Sequence, residues 1–137
     1  MKESVYDSVG FRVARASNHI NQTIASILNE NGIAPEQRIL LELLSQCRQA
    51  NQTTLATMLN KSPATVSRTL DSLEKKSFIV KKTLPGDKRM NVIEVTPEGT
   101  AILEQTEAKI IAFRASLSQK FTEEEKKILF LLLEKLY

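Results

Sequence analysis

The 137-residue chain has a single cysteine, a single histidine and four glycines, and each scarcity removes a class of function. Cys47 has no partner for an internal disulfide, as expected of a protein kept in a reducing cytoplasm. Cys47 and His19 together are too few soft ligands for a closed zinc site, so no metal and no other cofactor is expected. One histidine also leaves no basis for a Ser-His-Asp or Cys-His constellation. The glycines, at 10, 32, 86 and 99, spell neither GxGxxG nor GxxxxGK, so no phosphate-cradling loop is visible. The longest apolar run, Ile128 to Leu133, is far short of the roughly 18 to 20 residues that cross a bilayer, and no membrane partner is expected. Met1 to Asp7 lacks the apolar stretch of a secretory signal, which again points to the cytoplasm.

What remains is ordinary globular composition, 42% hydrophobic and 26% charged, sized for one compact domain or two small lobes. The net charge is only +3, but it is unevenly spread. Lys61 to Arg89 holds eight basic and three acidic residues, a local +5 on a remainder of −2. Such a field suits a surface that meets phosphates; a solvated charged face is the plainer alternative.

Apolar steps of three and four (Val9, Val13, Ala16, Ile20, Ile24, Ile27) predict a first helix over about 5–29. Asn31-Gly32 and Pro35 lead into a second, to about Gln46, with Ile39, Leu40, Leu43, Leu44 and Cys47 on one face. Asn51 caps a third helix through Leu59, and Ser62-Pro63 opens a fourth that runs through Lys76. In that fourth helix Val66, Leu70 and Leu73 face inward, leaving Thr65, Arg68, Thr69 and Ser72 outward. Two β-rich runs, 78–83 and 91–96, flank Leu84-Pro85-Gly86-Asp87-Lys88-Arg89 and predict a hairpin with a basic tip. Thr96-Pro97 opens a fifth helix, to about Gln119, with Ala101, Ile102, Ala108, Ile111, Ala112, Ala115 and Leu117 as its apolar positions. Thr122 to Glu125 makes a capping box for a sixth helix that reaches the end of the chain.

Two helices joined by a short turn and followed by a hairpin read as a winged helix-turn-helix, in a fold that is mainly α with a small β wing. The small polar outward set Ser62, Thr65, Arg68, Thr69 and Ser72 fits a major groove, with Arg68 the candidate for a bidentate contact to guanine. An exposed face that touches nothing is the alternative, and the wing weighs against it. Arg89 suits a narrow minor groove, Asp87 is placed to hold it, and Lys82 and Lys88 are placed to meet phosphates.

The chain resembles the MarR family of bacterial transcriptional regulators. The resemblance lies in Leu55-Ala56, Ser62-Pro63-Ala64-Thr65-Val66-Ser67-Arg68-Thr69-Leu70, Leu73-Glu74-Lys75-Lys76, Asp87-Lys88-Arg89 and Val95-Thr96-Pro97-Glu98-Gly99. It implies a homodimer on pseudopalindromic double-stranded DNA, released by a small, often phenolic or anionic, molecule. Ser77 and Asn60 depart from the family's usual glycines, and serine bears the larger conformational cost. Arg38, on the second helix, is expected either to reach solvent, which is favoured, or to line an effector cavity. Arg12, Arg15 and His19 on the first helix are the other candidate ligand residues.

The last helix is apolar on every side from Ile128 to Leu133, so the two ends are expected to form the dimer interface. The division expected is a winged helix-turn-helix over 35–96 and a dimerisation region from 1–34 and 97–137. The reading is therefore a cytoplasmic homodimer that binds an inverted-repeat operator, as a ligand-released repressor rather than an enzyme. A winged-helix module for an acidic protein partner and a DNA-binding protein that needs no ligand are the alternatives.

Overall fold

The computed structural model describes residues 4–47, 50–84 and 86–137, with the side chains of 84 and 87–91 outside that description. The chain forms two compact units, one ending at Thr106 and the other Glu107–Tyr137. Helices α1 (Val9–Leu28), α2 (Pro35–Gln46), α3 (Gln52–Leu59) and α4 (Pro63–Lys75) precede strands β1 (Ile79–Leu84) and β2 (Asp87–Val95). Helices α5 (Pro97–Ser118) and α6 (Glu123–Glu134) complete the chain.

In the first unit, α2 packs against α1, α4 and β2, and α4 packs against α3 and β1. Leu40, Leu41, Leu55, Val66, Leu70, Leu73, Ile79 and Ile93 are buried at its centre. The strands are antiparallel, with Ile79 opposite Val95 and Lys82 opposite Val92. Past Thr83, opposite Asn91, the register shifts so that Leu84 faces Asp87. Strand β2 thus begins four residues earlier than the composition of 91–96 suggests, because the turn closes tightly at Gly86, whose φ is 91°. Ala50 adds one bridge to Ile93.

The caps explain most helix boundaries. Ser8 is extended and accepts from the Phe11 amide, so α1 starts at Val9 and the residues 5–7 form only a short 3-10 turn. Gln37 closes the start of α2 by accepting from the Ala34 amide at 3.1 Å. Cys47 falls just past the last turn of α2 and is half-buried rather than part of its apolar face. Asn60 takes the left-handed conformation that ends α3, with φ 51°.

Where β2 meets α5, one hydroxyl organises three segments. Thr96 Oγ1 donates to the Ser77 carbonyl at 2.6 Å and accepts from the Gly99 amide at 3.0 Å. A Cβ on Gly99 would lie 2.2 Å from the Phe78 carbonyl oxygen, so only glycine permits this approach. Ser77 sits at φ 66°, a conformation that costs an L-residue roughly 1 to 2 kcal/mol.

Several apolar positions that mark the helices in the sequence are open. On α1, Val9, Val13 and Ala16 are exposed and Leu28 is the buried residue. On α2, Ile39 is exposed. On α5, Ala101, Ala108, Ile111, Ala112 and Ala115 are exposed, and the buried line is Ile102, Thr106 and Ile110 at steps of four. In the second unit, Thr122 and Glu125 make the reciprocal capping box of α6, and Lys126 donates to Ser118 Oγ at 2.8 Å. Ile128 and Phe130 to Leu133 are exposed on α6, Leu131 at 69%.

Two substitutions at the junction should move stability in opposite directions. Ser77→Gly should raise unfolding free energy by about 0.5 to 1 kcal/mol, since relief of the strained φ exceeds the entropy glycine adds to the unfolded chain. Gly99→Ala should lower it by about 1 to 3 kcal/mol through overpacking. Urea denaturation followed by circular dichroism reads both.

Candidate nucleic-acid interface

Helix α4 is built to be held on one side and offered on the other. Val66, Leu70 and Leu73 are 1% exposed or less, and they fix its rotation. Its start is capped by Ser62, whose Oγ accepts from the Thr65 amide at 3.2 Å. Gln52 Nε2 donates to the Pro63 carbonyl at 3.0 Å, tying the start of α3 to the start of α4. At the other end, Lys76 Nζ donates to the Gly32 carbonyl and to Gln37 Oε1, both at 2.8 Å. The helix is thus anchored at both ends to elements that precede it.

The outward face differs in detail from the set Ser62, Thr65, Arg68, Thr69 and Ser72. Ser62 and Arg68 are exposed, whereas Thr65, Thr69 and Ser72 are half-buried on the flanks. Thr69 lines a small cavity of about 60 Å³ with Ile39, Leu59 and Val66. Its hydroxyl donates to the Thr65 carbonyl, and the Ser72 hydroxyl donates to the Arg68 carbonyl. An exposed line runs Ala64, Arg68, Asp71, Lys75. Stepping by three and four from Arg68, rather than selecting polar residue types, would have found Ala64, Asp71 and Lys75. Arg68 Nη2 reaches Thr65 Oγ1 only at 3.4 Å, a long contact that leaves the guanidinium head available.

Charge pairs join the helix to the hairpin. Lys81 Nζ lies 2.6 Å from Asp71 Oδ1 and 4.0 Å from Glu74 Oε1, so a lysine on β1 braces α4. Lys82, 62% exposed, pairs diagonally across the hairpin with Glu94 at 2.8 Å. Lys82 is therefore on the surface but partly neutralised. Asp87, Lys88 and Arg89 lie in the backbone of β2, while their side chains fall outside the described residues.

The candidate ligand residues separate into two places. Arg12 Nε donates to the Tyr6 carbonyl at 2.6 Å and Arg15 Nη1 donates to the Tyr6 hydroxyl at 2.7 Å. Both guanidiniums lie over the Tyr6 ring, at 5.4 and 5.1 Å from its centroid. Arg15 and His19 line an open depression along α1 with Phe11, Ala14, Asn18 and Gln22. Arg38 is elsewhere and does not reach solvent. It is buried against Glu42, Thr106 and the Leu103 carbonyl, because these acceptors meet its guanidinium inside the unit.

A hairpin set directly after an anchored helix with an arginine outward is the winged helix-turn-helix arrangement. Residues 33–90 match the MarR family. The chain is similar to the MarR family over that segment, which holds α2, α3, α4 and β1. A helix-turn-helix transcriptional regulator of Bacillus cereus is 29% identical to it, over 94% of this chain and 86% of that one. A MarR/EmrR family transcriptional regulator from Acinetobacter sp. ADP1 superposes with a TM-score of 0.86 at 25% identity, over 98% of this chain and 95% of that one. The S. aureus MepR–DNA complex superposes with a TM-score of 0.86 at 24% identity, over 94% and 96% of the two chains. Together these similarities make the chain a DNA-binding transcriptional regulator rather than an enzyme. Among the described residues, no helix is long and apolar enough to cross a membrane.

Glu94→Gln should strengthen DNA binding, because it releases Lys82 to a phosphate. The expected signature is a plot of log affinity against log salt that steepens by about one, read by fluorescence anisotropy over a salt series.

Proposed function

We propose that this chain is a member of the MarR family, and that two copies of it bind an inverted-repeat operator in double-stranded DNA and repress transcription from it, in the cytoplasm. The anchored α4, with Arg68 on its outward line beside the basic hairpin, is the observation that carries the reading. Residues 35–96 read the DNA. Arg68 contacts a base in the major groove, while Ser62, Thr65, Thr69 and Ser72 position the helix through phosphates and base edges. Arg89, held by Asp87, enters the minor groove, and Lys82 and Lys88 meet phosphates. A DNA complex of the similarly folded S. aureus MepR supports this use of the fold.

Residues 1–34 and 97–137 make the homodimer. The exposed apolar residues Val9 and Val13 on α1 and, separately, Ile128 and Phe130 to Leu133 on α6 support it, since single-chain surfaces rarely leave runs of large apolar groups open. Two recognition helices related by a two-fold axis meet half-sites one duplex turn apart, roughly 34 to 36 Å.

A small anionic or phenolic molecule releases the repressor by binding along α1 near Arg12, Arg15 and His19. The paired guanidiniums around Tyr6 and the adjoining depression support that placement. The molecule acts only through its preference for one arrangement of the two reading heads over another.

Selection of binding sites from random duplexes by the purified chain tests the reading, and an inverted repeat is the expected product. Arg68→Ala should then cost about 1 to 3 kcal/mol and relax one position of each half-site, whereas Lys88→Ala should weaken all sequences alike and flatten the salt slope by about one. Recovery of the wild-type site by Arg68→Ala would remove the base-reading role. Phe130→Glu should convert the dimer to single chains in analytical ultracentrifugation.

A further inference from the structure

Arg38, 4% exposed, is the one charged side chain buried among the described residues. Its Nε donates to Thr106 Oγ1 at 2.7 Å, its Nη2 to the Leu103 carbonyl at 3.3 Å and its Nη1 to Glu42 Oε1 at 2.9 Å. Thr106 is itself fully buried, and its hydroxyl donates to the Ile102 carbonyl at 2.8 Å. That bond fixes the hydroxyl rotor, so the oxygen lone pair is presented to Arg38. One guanidinium on α2 thus grips α5 at two points on one face, with Glu42 on the next turn of α2 supplying the opposite charge.

Stability alone does not explain an arginine at this place. Burying a guanidinium is costly, and apolar replacements of buried ion pairs are often neutral or stabilising. What the guanidinium supplies is direction. Its planar fork satisfies two acceptors on α5 only at one rotation and one height of that helix against α2, whereas apolar side chains tolerate sliding. Helix α5 then continues without interruption to Ser118.

We infer that Arg38 is a positioning residue for DNA recognition: its grip on Thr106 and Leu103 sets how α5 leaves the winged helix, and so sets the half-site spacing that a pair of chains accepts. This inference rests on the paired reading of the operator given above. It concerns spacing, not base identity, so its consequences are separable from those of Arg68.

The test uses a duplex selected by the wild-type full-length chain, derivatives with one or two base pairs added or removed between the half-sites, and a duplex with a single half-site. Arg38→Met and Thr106→Val should each lose about tenfold on the parent duplex and flatten the preference for its spacing, while half-site binding stays within about twofold of wild type. Thr106→Ser, which keeps the hydroxyl, should restore the wild-type spacing profile. Should Arg38→Met not fold, Thr106→Val against Thr106→Ser decides the matter. An unchanged spacing profile in folded Thr106→Val overturns the inference, and so does an equal loss on half-site and full duplexes, which marks a general loss of structure. Failure of the wild-type chain to select an inverted repeat is a different outcome, because it removes the operator reading itself before any variant is compared.

Discussion

Val66, Leu70 and Leu73 recur at steps of four and three, and burying all three leaves α4 a single rotation about its axis. That constraint decides which residues face outward. It puts Arg68 on the surface and makes a lysine on β1 a neighbour of Asp71, so that the hairpin is braced against the helix. Losing the inner face would not merely weaken the unit. It would free the helix to turn, and the side chains aimed at a groove would no longer be aimed at all.

A second constraint operates where β2 passes into α5. Thr96 caps the helix and holds the Ser77 carbonyl, while Gly99 lets the first turn approach the Phe78 backbone. The Thr-Pro-Glu-Gly sequence is therefore a close-packing device as much as a helix start. Ser77 keeps a strained backbone in this junction where a glycine would rest without strain, and nothing in its contacts explains the serine.

Local chemistry was legible in the amino-acid sequence. Asn51, Ser62-Pro63 and Thr122 to Glu125 announce helix starts through bonds spanning three residues, and the structure contains those bonds. The winged helix-turn-helix followed from their order. The contacts that escaped notice span longer stretches. Arg38 and Thr106 are 68 residues apart, and Thr106 lies in a buried line that a search for apolar residues passes over. The Lys82–Glu94 pair depends on hairpin register, which composition alone does not specify. The apolar positions of α1 and α5 are legible as spacing, but periodicity reports that a face is apolar without saying what covers it, and many of them are exposed.

The uncovered end of the chain has a consequence for gene dosage. Phe130, 62% exposed, and its leucine neighbours on α6 are shielded only by association on the paired reading, and association grows with the square of how much chain is made. A cell producing half as much of this polypeptide would then hold less than half as much working regulator while pairing is incomplete. Unpaired copies, with greasy helices open to proteases, would be cleared first, so that scarcity deepens itself.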